Sequence, residues 1–183
     1  MAGMKHCGKS THGRALAHHW GCAFYDTDEL ILEDHYALTG ERLTIRDFFQ
    51  KAGEEEFRET EARVFRQLCR SIEDEPRHAV IAVGGRLAVN PLVHDLLRSF
   101  GFFVFIRTDL RVLFDRVMRR GRPPFLREDD PFGDFLELYQ QREPAYLEYA
   151  DLVIDLEDVP VAEGRRIVIS SVEDAVHAGK QLR

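Results

Sequence analysis

Eight residues near the start of the chain have the composition and spacing of a phosphate-binding loop (P-loop). Residues 3–10, GMKHCGKS, match the pattern G-x-x-x-x-G-K-[ST]. The glycines of this pattern let backbone N–H groups surround phosphate oxygens, its lysine neutralises the β and γ phosphates, and its hydroxyl ligates Mg²⁺. A helical segment that begins with these last residues follows directly. The sequence therefore predicts an ATP site formed by Gly3, Gly8, Lys9, Ser10 and Thr11, with Ser10 as a metal ligand.

Two aspartates, Asp26 and Asp28, lie between a short apolar segment and a helical one. Phosphoryl transfer depends on positioning and charge neutralisation more than on covalent catalysis, so carboxylates are expected to hold the metal and the acceptor. Asp26 has Glu29 three residues later, which is also the spacing of a helix capping box. This pair of aspartates therefore has two interpretations: the carboxylates bind the metal and the acceptor, or they simply cap the next helix.

The composition limits the class of protein. With 183 residues, of which 44% are hydrophobic, the chain fits a single domain over residues 1–183. A net charge of −7 opposes binding to nucleic acid, so an anionic ligand needs a local cluster of basic residues. No apolar run approaches the roughly 18 to 20 residues that cross a bilayer, and the N-terminus lacks the apolar middle of a signal peptide. We expect a cytoplasmic protein that binds neither membrane nor nucleic acid, and a monomer.

Helical and strand-like segments alternate along the chain, and these elements must position the residues above. The alternation predicts an α/β domain with a parallel sheet and helices on both faces. The predicted strands are residues 22–25, 79–83, 102–106 and 152–154. The predicted helices are residues 9–20, 26–36, 44–51, 54–72, 109–120 and 132–149, and Ser170 with Glu173 predicts a capping box before a last helix. The breaker-rich residues 120–131 predict a mobile loop.

The P-loop should follow a buried strand, yet only Met1 and Ala2 precede Gly3. The first strand is therefore predicted to be missing or truncated in this sequence. We expect apolar residues upstream of Met1 to supply it, because the remaining motifs are intact. A damaged gene copy is the alternative explanation.

Five further segments follow the P-loop in an order that resembles shikimate kinase. They are Asp26-Thr27-Asp28, residues 53–61, Gly84-Gly85, Arg122-Pro123 and residues 142–146, and the resemblance extends from Gly3 to about Asp155. It implies a P-loop kinase fold and ATP-dependent phosphorylation of a hydroxyl of shikimate. The product would be shikimate 3-phosphate, in aromatic amino-acid biosynthesis. The implied partners are ATP, with Mg²⁺ as cofactor, and a small carboxylated polyol.

The resemblance also implies roles for the acidic and substrate-binding residues. Asp26 would act in the outer shell of Mg²⁺, and Asp28 would bind the acceptor hydroxyl and take its proton. Arg58 and Arg142 would bind the carboxylate of shikimate, since a guanidinium can meet a carboxylate with two parallel hydrogen bonds. Glu61, close to one turn from Arg58, would orient that arginine. Gly84 and Gly85 would line the acceptor pocket.

Two more arginines receive roles from the same resemblance. Arg122 lies in the loop of residues 120–131, which corresponds to the family's lid and would bring Arg122 to the transferring phosphate on closure. Arg116 is the candidate for packing on adenine. Together with Lys9 and Asp28, Arg122 completes the predicted catalytic set, whereas Arg119, Arg120 and Arg127 are predicted to be solvated.

Two positions depart from the family's pattern. His6 stands where the P-loop usually has another glycine, and Arg86 stands where the acceptor pocket usually has a third one. A side chain at either position is costly if the backbone needs a positive φ. Arg86 either narrows the acceptor pocket or adds an anion contact, which leaves the acceptor specificity open.

Two other functions are compatible with these motifs. One is a related small-molecule kinase, of the gluconate type or acting on nucleotides; Arg58, Arg142 and the paired aspartates favour a carboxylated polyol over a nucleotide acceptor. The other is a non-catalytic ligand-binding domain that descends from the kinase. Assays with a panel of acceptors would decide whether the first alternative applies. Nucleotide binding without turnover would support the second.

Overall fold

The computed structural model describes residues 1–74, 78–119, 121–123 and 125–179. Its strands are β1 (Ala23–Asp26), β2 (Ala79–Ala82), β3 (Val104–Arg107) and β4 (Leu152–Asp155). Its helices are α1 (Lys9–Trp20), α2 (Thr27–Thr39), α3 (Ile45–Asp74), α4 (His94–Ser99), α5 (Leu110–Met118), α6 (Pro131–Tyr149) and α7 (Val161–His177). Two short 3-10 helices, Leu87–Val89 and Pro91–Val93, lie between β2 and α4. The predicted alternation of strands and helices is confirmed.

The strands form two parallel pairs, β1 with β2 and β3 with β4. The register places Ala23 opposite Ala79 in the first pair and Val104 opposite Leu152 in the second. The first three residues of β3 are all buried, which is the pattern of a strand covered on both faces. The continuous apolar run in the sequence predicted this burial.

Met1 and Ala2 lie between the two pairs and join them. The carbonyl of Met1 accepts a hydrogen bond from the N–H of Val83 at 2.9 Å. On the other side, the N–H of Ala2 donates to the carbonyl of Val104 at 2.8 Å, and the carbonyl of Ala2 accepts from Ile106 at 3.0 Å. The two residues therefore pair in the central position, directly before the P-loop, which is the position of the first strand that the sequence predicts to be missing or truncated.

Helices α1 and α7 pack against each other and against the strands. The buried residues of α7, Gly164, Val168, Val172 and Ala175, recur every three or four positions and form one stripe. The predicted capping box at Ser170 is wrong, because α7 begins at Val161 and Ser170 lies inside it. The buried stripe already begins at Gly164, so packing against α1 extends the helix well before the local capping signal.

Helix α3 contains the two helices predicted for residues 44–51 and 54–72, separated by a break at Gly53. Gly53 has φ 79° and ψ −179°, a conformation that glycine adopts without the strain of a side chain. Phe48 before the break and Phe57 and Val64 after it pack with Ile31 of α2 in a small separate core. Within the described ranges, no helix combines the length and apolarity of a membrane span.

Candidate active site

The P-loop leaves the sheet at Gly3 and enters α1 at Gly8. Gly3 has φ 141°, and a Cβ there would lie 2.5 Å from the carbonyl oxygen of Ile106, so the close approach to β3 requires glycine. Gly8 is the left-handed N-cap of α1. His6 also adopts a positive φ of 67°, a conformation that costs more for histidine than for glycine. The substitution noted in the sequence therefore falls on a backbone position suited to glycine.

The ammonium group of Lys9 lies across the P-loop. Its Nζ donates to the carbonyl oxygens of Gly3 and Met4, at 3.0 Å in both cases, and lies 4.0 Å from Sγ of Cys7. Lys9 also lines the large cavity described below. Its charge is thus held at the place where the P-loop pattern predicts phosphate oxygens.

Ser10 and Asp26 bring two oxygen donors together beside the P-loop. The hydroxyl of Ser10 donates to Oδ2 of Asp26 at 2.5 Å, and Oδ1 of Asp26 accepts from the N–H of Asp28 at 3.0 Å. Asp26 therefore caps α2 and faces Ser10 at the same time, so the two interpretations of this residue are compatible. A hydroxyl and a carboxylate are the hard oxygen ligands that suit Mg²⁺. Thr11, one residue later, is exposed.

The carboxylates of Asp28 and Glu61 converge on Gly84, just after β2. A Cβ on Gly84 would lie 2.6 Å from Oδ1 of Asp28 and 3.2 Å from Oε1 of Glu61. No side chain fits there without displacing them. Burial raises the pKa of Asp28, and the nearby Asp26 adds to the effect, whereas Lys9 opposes it. Asp28 is thus a carboxylate with an increased tendency to accept a proton, close to the P-loop.

Glu61 is buried, with 2% of its surface exposed, and burial raises its pKa to about 7. Its Oε2 accepts a hydrogen bond from the side-chain amide of Asn90 at 3.0 Å. Its Oε1 has no hydrogen-bond partner within the described part of the chain. The charge of Asp28 raises the pKa further, whereas Asn90, Arg86 and Arg142 lower it.

Arg58 is directed away from Glu61. Its guanidinium donates to Oε1 of Glu54 at 3.0 Å, one turn earlier in α3. Asn90 links Glu61 to the backbone of Arg58, because its amide also donates to the carbonyl of Arg58 at 2.9 Å. The predicted orientation of the Arg58 guanidinium by Glu61 is therefore absent from the contacts that the structure describes.

Arg142 of α6 lies against the turn that follows β2. A Cβ on Gly85 would lie 3.5 Å from its Nη1 and 3.6 Å from the phenol oxygen of Tyr146, one turn later in α6. The phenol of Tyr146 donates to the carbonyl of Gly85 at 2.5 Å. Burial lowers the pKa of Arg142, and the charge of Arg86 adds to this effect. The guanidinium is thus held at the predicted acceptor turn.

A cavity of about 810 Å³ connects these groups. It receives Lys9 from the P-loop, Asp28 from α2, Glu61 from α3, Gly85 from the turn after β2, and Arg142 from α6. Five parts of the chain that the sequence analysis identified separately therefore meet in one space. Among the described residues, Arg86 lines the cavity and Arg58 does not.

In this structure the arginine of the predicted lid, Arg122, contacts other residues of the same loop. The guanidinium of Arg122 donates to the carbonyl of Leu126, and to the carboxylate of Glu128 at 2.6 Å. Pro123 and Phe125 line the cavity from this loop. The predicted approach of Arg122 to the phosphate stays a prediction, and Arg120 and Pro124 of the predicted loop lie outside the described residues.

Arg116 of α5 contacts the P-loop. Its Nη1 donates to the carbonyl of His6 at 3.3 Å, and its Nη2 pairs with Asp158 at 2.7 Å. This arginine therefore links the P-loop to the segment after β4. Its predicted packing on adenine stays a prediction.

Known proteins of one family resemble this chain in sequence and in fold. A family model described as "SKI: Shikimate kinase" matches residues 5–173. The chain belongs to the shikimate kinase family. Shikimate kinase of Thiobacillus denitrificans is 32% identical over 173 residues, which cover 94% of this chain and 88% of the relative. For shikimate kinase of Chromobacterium violaceum the identity is 32% over 183 residues, which cover 99% and 92%.

A solved shikimate kinase has the same fold. The structure described as "Shikimate kinase from Acinetobacter baumannii in complex with shikimate" matches with a TM-score of 0.80 at 27% identity, over 98% of this chain and 92% of that chain. The predicted P-loop kinase fold, with its parallel sheet and flanking helices, is confirmed. For this member of the shikimate kinase family, the predicted roles of individual residues remain predictions.

Arg86 is accommodated without backbone strain. Its φ is −103°, so the concern that a positive φ would make an arginine costly here does not apply. Sequence analysis missed the contacts of Asn90 and Tyr146. A polar asparagine within the apolar segment LAVNPLV was a signal for the first. Tyr146 was noted only as part of a motif.

Proposed function

We propose that the chain transfers the γ-phosphate of ATP to a hydroxyl of shikimate and so forms shikimate 3-phosphate. One observation carries this proposal: the cavity joins Lys9 of the P-loop to Asp28 and Arg142, in a chain of the shikimate kinase family. Lys9 faces the nucleotide side, and Asp28 and Arg142 supply a proton acceptor and a cation for a carboxylated alcohol.

On the nucleotide side, the P-loop amides and Lys9 bind the β and γ phosphates. Ser10 would bind Mg²⁺ directly, and Asp26 would act in the outer shell of the ion. The ion would neutralise charge on these phosphates. The hydrogen bond between Ser10 and Asp26 supports this assignment, because it places both oxygens beside the P-loop. Lys9 stabilises the charge that develops on the transferred group.

On the acceptor side, Asp28 accepts the proton of the attacking hydroxyl. Its raised pKa favours this step, since burial and Asp26 make proton uptake easier than for an exposed aspartate. Arg142 binds the carboxylate of the acceptor with its planar guanidinium. Closure of residues 120–131 would exclude water and bring Arg122 to the phosphate.

The test is a coupled assay of ADP release by the purified chain with ATP, Mg²⁺ and a panel of acceptors. The panel contains shikimate, gluconate and a nucleoside monophosphate, and mass spectrometry identifies the product. We expect turnover with shikimate and a product heavier by one phosphoryl group. Lys9→Ala is the control for ATPase contaminants. A preference for gluconate, or ATP binding without turnover of any acceptor, would contradict the proposal.

A further inference from the structure

The side chain of Arg86 is held against one wall of the cavity by two contacts. Its guanidinium carbon lies 4.9 Å above the centre of the Phe49 ring, and its Nη2 donates to Oε1 of Glu54 at 2.7 Å. Phe49 also lines the cavity. A stacked and paired guanidinium loses less conformational freedom when it binds a ligand than a free one does.

Arg86 shares its carboxylate with Arg58. Oε1 of Glu54 accepts from Nη2 of Arg86 at 2.7 Å and from Nη2 of Arg58 at 3.0 Å. Two guanidinium groups thus meet one carboxylate, which leaves one positive charge in excess in this group of three residues. Such an excess attracts an anionic group from the adjacent cavity.

The two arginines differ in their relation to the cavity. Arg86 is among the residues that line it, and 33% of its side chain is exposed. The side chain of Arg58 is 42% exposed and, within the described part of the chain, is not part of the lining. The guanidinium of Arg86 therefore already lies at the cavity wall before an acceptor binds.

Arg86 also acts electrostatically on the acceptor side. Its charge lowers the pKa of Arg142 and that of Glu61. Arg142 lies against the neighbouring Gly85. The two guanidinium groups therefore act on one region of the cavity, where a bound anion would relieve their mutual repulsion.

We propose that Arg86 and Arg142 together bind the carboxylate of the acceptor, and that Glu54 and Phe49 hold Arg86 in position for this contact. This inference rests on the proposed function. It assigns specificity for an anionic acceptor to a residue at which this chain departs from the family's glycine.

The test compares Arg86→Gln with the unaltered protein, using shikimate and an analogue in which the carboxylate is reduced to a hydroxymethyl group. We expect Arg86→Gln to lower kcat/KM for shikimate by about tenfold or more, as for loss of a charge-assisted hydrogen bond. The value for the analogue and the KM for ATP should change by less than about twofold. Arg46→Gln is the matched control, since Arg46 also lines the cavity but has no described ion pair.

Unchanged use of shikimate by Arg86→Gln would overturn the inference. Equal losses with both acceptors, or an equal loss in Arg46→Gln, would overturn it as well, because general charge or folding would then explain the effect. Turnover by the unaltered protein tests the proposed function separately. If that protein binds shikimate without turnover, titration calorimetry of shikimate with both proteins still decides whether Arg86 contacts the carboxylate.

Discussion

The phenol of Tyr146 donates a hydrogen bond to the backbone carbonyl of Gly85 at 2.5 Å. The same phenol is fully buried, and a Cβ on Gly85 would lie 3.6 Å from its oxygen and 3.5 Å from Nη1 of Arg142. Tyr146 thus connects α6, the helix that carries Arg142, to the turn after β2 at Gly85. We expect it to act on the acceptor through these two residues, as a positioning residue.

Tyr146→Phe should therefore raise the KM for shikimate several-fold while the KM for ATP stays unchanged. Loss of the buried hydroxyl leaves the carbonyl of Gly85 without this donor, which typically costs about 1 to 3 kcal/mol of unfolding free energy. Denaturant unfolding and steady-state kinetics measure the two effects. Tyr139→Phe is the matched control, because its hydroxyl bonds to Glu143 within the same helix. If Tyr139→Phe raises the KM for shikimate equally, Tyr146 has no specific positioning role.

The second prediction concerns Glu61 and pH. Burial raises its pKa to about 7 in the folded protein, against an ordinary value of 4.5 that applies to the unfolded chain. Between these two pH values the folded state therefore binds more protons than the unfolded state. The stability that this group contributes is therefore fully present below about pH 4.5 and is lost as the pH rises through about 7. Glu61→Gln removes this pH-dependent loss of stability. The free energy of unfolding should then fall less between pH 5 and pH 8 than in the unaltered protein, by about 1 to 3 kcal/mol.

Denaturant titrations of both proteins at several pH values measure this difference. Glu55→Gln, an exposed site on the same helix, is the control for loss of a carboxylate. Parallel pH profiles for the unaltered protein and Glu61→Gln would show that Glu61 titrates as an ordinary glutamate.

The third prediction uses the close approach at Gly84. In Gly84→Ala the new Cβ would meet Oδ1 of Asp28 at 2.6 Å, so that carboxylate must move. A displacement of this kind at a reacting group can cost on the order of a hundredfold in kcat. In Gly85→Ala the new Cβ would meet Nη1 of Arg142 at an ordinary 3.5 Å, and the loss should be smaller. Kinetics of both variants with saturating ATP test this order, and a larger loss in Gly85→Ala would contradict it.

The fourth prediction separates the two sides of the cavity. Lys9→Ala should abolish turnover and weaken ATP binding, because the charge at the phosphates is lost. Asp28→Asn should abolish turnover but keep ATP affinity within about twofold, because it removes the proton acceptor. It should also keep or raise the melting temperature, since it removes repulsion with Glu61. Calorimetry with ATP and thermal unfolding measure both, and weak ATP binding by Asp28→Asn would point to a structural role.

Local sequence patterns determined much of the fold. The bounds predicted for α1 agree with Lys9–Trp20, and Asp26 caps α2 as its position predicted. The break at Gly53 separates the two predicted parts of α3. These features depend on neighbours a few residues apart, through capping, backbone conformation and helical periodicity. The start of α7 depends on packing against α1 as well, and there the local capping signal failed.

The sequence by itself also determined the P-loop, the paired aspartates and the motifs that identify the family. Only the tertiary structure decided which charged groups face each other. Glu54 holds both Arg58, which lies one helical turn later, and Arg86, which lies 32 positions later in the sequence. Asn90 reaches Glu61 across 29 positions, and Tyr146 reaches Gly85 across 61. Long side chains have many rotamers, so their partners follow from the packing of distant elements and cannot be read from spacing along the chain.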